Sequence, residues 1–133
     1  MKALPAHDPD ALFSLGLRQF NTRRFWHSHE SWEAIWLTAP EPDKTFLQGI
    51  IQIAAAFYHH QKQNHEGMRS LLRRGLAKTE QFPAGYRGLH LEPLRRAVRE
   101  WLAADARGEP LPPRYPRIRR ARAHQSAVAR RAR

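Results

Sequence analysis

Residues 46–60 read FLQGIIQIAAAFYHH. Isoleucines at 50, 51 and 53 would suit a strand, but the apolar run is too long for one. Gly49, Ala54, Ala55 and Ala56 supply the small side chains that let helices approach closely. A helix that is apolar almost all round belongs at the centre of a bundle. The spacing therefore predicts a central helix from about Lys44 to Gln61. One polar stripe interrupts it: Gln48, Gln52, Ala55 and His59 fall within about 60° of arc. A buried helix with a polar stripe needs a polar partner.

The partner is sought just upstream, in FWHSHESWEAIW, residues 25–36. At 100° per residue Trp26, His29, Glu33, Trp36 and Leu37 share about 100° of arc, with Glu30 just beyond the edge. This face is predicted to be buried, with Trp32 and Ile35 toward or beyond its rim. His29 and Glu33 are an i, i+4 pair, so their side chains can meet. Burying such groups is costly unless they are paired. The expectation is a buried network in which His29 and Glu33 face Gln48, Gln52 and His59, flanked by Trp26, Trp36 and Tyr58.

Two readings of that network stay open. As a structural device it satisfies its own hydrogen bonds and fixes helix register. As a functional site, His29, Glu33 and His59 would hold a divalent metal with water in the fourth position, and Glu30 would serve as acid–base, giving a metal-dependent hydrolase. The local pattern is H-E-x-x-E, not the H-E-x-x-H of zinc proteases, and no cofactor is expected on the first reading. No serine sits in a nucleophile-elbow context and no glycine cluster makes a phosphate-binding loop.

The rest of the chain supplies further helices and no strand pattern or internal repeat. Asp8-Pro9 reads as N-cap and first position of a helix running to about Phe20, buried through Leu12, Phe13, Leu17 and Phe20. Asn64 caps a helix over about His65 to Thr79. Another spans about Leu91 to Asp105, with Leu94, Val98, Trp101 and Leu102 on one face. The fold class is all-α: a compact bundle of about five helices.

The chain has 133 residues, enough for one domain. Cysteine is absent, which removes disulfides, thiolate zinc sites and cysteine nucleophiles. The N-terminal MKALPAHDPDALF lacks an apolar signal core, and the apolar run Gly49 to Tyr58 is about half a membrane span. A soluble cytoplasmic protein without membrane contact is expected.

The net charge is +11, and most of the excess follows Ala104. Residues 1–107 read as the helical domain and 108–133 as a Pro/Arg-rich tail, extended at first and then disordered. Leu111, Tyr115 and Ile118 are candidate anchors for it along the body. Arg117, Arg119, Arg120, Arg122, Arg130, Arg131 and Arg133 could neutralise phosphates without reading sequence. Beyond Tyr115 the tail has no interleaved aromatics, so stacking on single strands is not indicated. The shorter clusters Arg69, Arg73, Arg74 and Arg95, Arg96, Arg99 read as solvated faces.

Several residues taken together carry a family likeness: Phe20-Asn21, Phe25-Trp26, His29-Glu30, Glu33, Trp36, the run LQGIIQIAAAFYH, and Asn64 with Gly67. The chain resembles, over roughly residues 10 to 104, a family of small bacterial helical proteins, domain of unknown function number 309, with its HE-x-x-E-x-x-W signature. The resemblance implies an all-α bundle and no established biochemical activity. Arg23 stands where a small turn residue such as glycine is expected.

The leading expectation is a noncatalytic binding or scaffold domain. The alternatives are the metal-dependent hydrolase and nonspecific nucleic-acid association through the tail. A homodimer through Trp32 and Ile35 is a further partner expectation.

Overall fold

The computed structural model describes residues 8–122. Five helices follow in order: α1 (Pro9–Asn21), α2 (Phe25–Trp36), α3 (Asp43–Gln61), α4 (His65–Thr79) and α5 (Glu92–Arg107). Local chemistry sets several of their ends. Asp8 caps α1 by accepting from the Asp10 amide at 3.1 Å, with Pro9 in the first turn. Asn64 caps α4 by accepting from the Gly67 amide at 3.0 Å. Gly108, at φ 66°, closes α5 in the left-handed conformation that glycine adopts without penalty. Asp43 lies inside the first turn of α3 rather than capping it, and bonds to Tyr86 and Arg87.

α3 is the hub, packed against α2 on one side and α4 on the other. Phe46, Leu47, Ile50, Ile53, Ala54, Ala56 and Phe57 are all fully enclosed, as its composition predicts. The α3–α4 contact depends on small residues. A Cβ added to Gly75 would lie 2.7 Å from both the Gly49 carbonyl oxygen and Ile53 Cγ1. No helix among the described residues is long and apolar enough to cross a membrane.

Residues 108–122 cross the expected boundary and lie on the bundle as a strap. Ile118 is buried in the core. Its amide donates to Asn21 Oδ1 at 2.8 Å, and its carbonyl accepts from Asn21 Nδ2 at 2.9 Å. Tyr115 packs against Phe25, Phe57 and Trp101, with ring centroids 5.0, 5.3 and 5.5 Å away. Leu111 is half-buried. A short antiparallel pairing, absent from the sequence reading, joins β1 (Leu89–His90) to β2 (Arg119–Arg120). Two residues a side are too few to leave a periodic signal. The strap is thus fixed to α1 by Asn21, to the loop before α5 by β1, and to the core by Tyr115 and Ile118.

Candidate functional site

The buried face of α2 is not the one its large residues suggest. Phe25, Ser28, Ser31, Trp32 and Ile35 point inward, one residue, or about 100°, away from the expected Trp26, His29, Glu33, Trp36 stripe. The cause lies in α1. Trp32 fits against Gly16, where an added Cβ would sit 2.2 Å from its Nε1. That Nε1 donates to the Phe13 carbonyl at 3.2 Å. Ser28 Oγ donates to the Gly16 carbonyl at 3.0 Å, and Ser31 Oγ donates to Gln19 Oε1 at 2.7 Å. Small hydroxyls that bond to α1 let the helices close, whereas two more indoles would hold them apart. Trp32 and Ile35, expected at the rim and as dimer contacts, are core residues, 0% and 6% exposed.

The expected His/Glu/Gln network is accordingly not assembled. His29 Nε2 and Glu33 Oε2 are 3.9 Å apart, but the Glu33 side chain is half exposed. Among the described residues no hydrogen bond joins either to Gln48, Gln52 or His59. Among the described residues His29 Nδ1, Trp36 Nε1 and Gln52 Oε1 are buried without a hydrogen-bond partner. His59 turns toward α4 instead, with Nδ1 3.1 Å from Asn64 Nδ2. Glu30 is exposed. Among the described residues no group of three His, Asp or Glu side chains is arranged to hold a metal, so the set His29, Glu33, His59 with Glu30 does not form a metal site. Trp26, expected in the core, is 43% exposed; it stacks on His29 at 4.7 Å and leans on Tyr58 at 5.0 Å. Lys44 Nζ covers Trp36 at 4.5 Å from the ring centroid.

The strap carries the other candidate set. Three adjoining grooves border it. One, of about 770 Å³, is lined by Arg23, Arg114 and Arg117 with Asn21 and Tyr115. A second, of about 610 Å³, is lined by Arg18, Arg119, Arg120 and Arg122 with Ser14 and Asn21. A smaller third holds Arg117, Arg119 and His90. Arg117, Arg119 and Asn21 are shared walls, and no acidic residue lines any of the three. Among the described residues Arg18, Arg23, Arg114, Arg117, Arg119 and Arg120 form no ion pair with a carboxylate. Arg120 Nη2 donates to Ser14 Oγ at 2.8 Å, which orients it on α1. Extended backbone turns Ile118 into the core and leaves Arg117 and Arg119 outside. Arg130, Arg131 and Arg133 lie outside the described residues.

The sequence reading found Arg117, Arg119, Arg120 and Arg122 but missed Arg114 of the strap, and Arg18 and Arg23, which α1 and its following turn bring to the same grooves. Arg23 adopts φ 65°. That is the conformation a glycine would take there without strain, and it matches the small residue expected at this turn.

A 52-residue stretch, 38% of this chain, is 38% identical to the uncharacterized protein YpuF of Bacillus subtilis (strain 168) and covers 30% of it. A longer stretch of 92 residues, 68% of this chain, is 27% identical to an uncharacterized protein of Aquifex aeolicus (strain VF5) and covers 28% of that protein. Each match therefore spans under a third of the relative's length. The model of the family described as Domain of unknown function (DUF309) matches residues 13–71, from Phe13 in α1 to Leu71 in α4. Over these residues the chain is similar to the DUF309 family.

Proposed function

We propose that the chain is a noncatalytic binding domain whose ligand is the phosphate backbone of a nucleic acid. The supporting observation is the contrast in arginine pairing: among the described residues Arg18, Arg23, Arg114, Arg117, Arg119 and Arg120 form no ion pair with a carboxylate, whereas Arg69, Arg95, Arg99 and Arg107 of α4 and α5 each meet one. Unpaired guanidinium groups keep their donors for phosphate oxygens, which they can bind bidentately. Their spacing along a strap fixed at Asn21, Tyr115 and Ile118 makes the array preorganised, so less is lost in ordering it on binding. Contacts of this kind position a backbone and do not read its bases.

The test is binding of a labelled oligonucleotide by the full chain across a salt series, compared with an Arg117→Ala, Arg119→Ala, Arg120→Ala variant. Log affinity should fall with log salt, and the slope should be shallower by about 3 in the variant. Binding that is absent, insensitive to salt, or equal in parent and variant would overturn the proposal. Substitution is cleaner than truncation at Gly108, which would also remove Tyr115 and Ile118 from the core.

A further inference from the structure

Trp26 is a large aromatic held at the surface, three residues after Arg23, which lines one of the arginine grooves. Its indole is 43% exposed. His29 stacks on it at 4.7 Å with 19° between planes, and Tyr58 meets it at 5.0 Å and 43°. These two rings fix its orientation without enclosing it. Lys62 Nζ lies 5.6 Å from the Tyr58 ring centroid, which puts a cation beside the aromatic group. The link to the grooves is short. Arg23, in the wall of the largest groove, precedes Trp26 by three residues, so their Cα atoms are no more than about 11 Å apart. Gln61 Nε2 donates to the Arg23 carbonyl at 3.1 Å and ties the end of α3, where Tyr58 and Lys62 sit, to the same turn.

An oriented, half-exposed ring with Arg23 three residues upstream and Lys62 over the neighbouring Tyr58 supplies the two elements of single-strand recognition: a stacking surface and a charged track for the backbone. We infer that Trp26 is a stacking platform for an unpaired base, and that the ligand of the strap grooves is a single strand rather than a duplex. This rests on the phosphate-backbone reading above and deepens it. In a duplex both faces of each base are covered by neighbours, so Trp26 gains nothing from it. Tyr115, the aromatic that the tail sequence offers for stacking, is occupied by Phe25, Phe57 and Trp101 and is not available.

The experiment compares three labelled ligands of equal length on the full chain: a single strand, the same backbone with abasic sites, and a duplex. Intact single strand should bind about tenfold tighter than its abasic counterpart and quench tryptophan emission. Trp26→Ala should lose that preference by a similar factor with an unchanged salt slope, and Trp26→Tyr should restore most of it. The abasic comparison uses the unaltered protein, so it stands even if the alanine variant folds poorly. Equal affinity for intact and abasic strands, with salt-dependent binding retained, would overturn the stacking inference and leave the phosphate reading in place. No binding to any of the three would bring down both. Capture of anionic vesicles instead of oligonucleotide, with a blue shift of Trp26 emission, would replace the nucleic acid with a membrane surface.

Discussion

Arginine is used in two opposite ways in this molecule. Arg69, Arg95 and Arg99 on α4 and α5 are consumed by the fold. Arg69 Nε reaches Asp105 at 2.5 Å, and Arg99 bonds Glu80 at 2.8 Å and Glu92 at 3.3 Å. Arg95 is buried and donates to the Thr79 and Phe82 carbonyls at 2.5 and 2.6 Å, which satisfies the frayed end of α4. Around the strap Arg18, Arg23, Arg114, Arg117, Arg119 and Arg120 meet no carboxylate among the described residues. Both sets look alike as runs of sequence. What separates them is the acid supplied from elsewhere in the chain, so net charge by itself does not locate a binding surface.

The largest expected effect is on the consumed set. Arg95→Ala would strip two carbonyls of their donor inside the protein and should cost about 3 kcal/mol of stability. Chemical denaturation measures this. The salt slope for oligonucleotide binding should not move, and a change in it would mean that the two sets are not separate. Next, Asn21→Ala removes both hydrogen bonds that hold Ile118, at a cost of about 2 kcal/mol. It should also weaken oligonucleotide binding several-fold by loosening the strap, which links the anchor to the array. Unchanged affinity in a folded Asn21→Ala protein would show that preorganisation of the strap contributes nothing.

Arg23 sits where the two uses conflict. Its left-handed backbone costs about 1 kcal/mol that glycine would not incur. Arg23→Gly should therefore raise stability by about that amount while removing one guanidinium from the largest groove and lowering the salt slope by about 1. Gain in stability with no loss of binding would take Arg23 out of the interface.

Much of the fold was legible because its signals are local. The Asn64 cap predicts α4 over residues 65–79, the span observed, and the apolar run predicts α3 at the centre. The anchors Leu111, Tyr115 and Ile118 were legible as apolar residues in a polar segment. The inward face of α2 was not, because the indoles of Trp26 and Trp36 offer far more apolar surface than Ser28 and Ser31. The signal that could have found it is the spacing Phe25, Ser28, Trp32, Ile35 together with Gly16, a gap in α1 shaped for an indole. The pairing state of the arginines was illegible in principle. Arg69 and Asp105 are 36 residues apart, and Arg99 and Glu80 19. Helical and extended periodicity carry no information over such distances.

The smallest effect expected is a pH dependence of the strap. His60 Nδ1 lies 2.6 Å from the Tyr115 hydroxyl. Burial, reinforced by nearby His65, holds the His60 pKa below its usual value. In the neutral tautomer protonated at Nε2, the ring accepts from the phenol through Nδ1. The Tyr115 hydroxyl is itself pushed up by burial, so it remains a donor throughout the neutral range. Because folding depresses the His60 pKa, the unfolded chain takes up the proton first. The stabilisation is therefore present above the unfolded value of about 6.5 and is lost as pH falls through the lower folded value. Melting temperature should decline across that acid window, and His60→Gln should flatten the decline. The paired arginines should be indifferent over the same range: Asp105, held low first by its hydrogen bond from Arg69, stays ionised until the pH falls below the ordinary carboxylate range. A decline unaffected by His60→Gln would assign the titration to another histidine and leave the strap without a pH-sensitive contact.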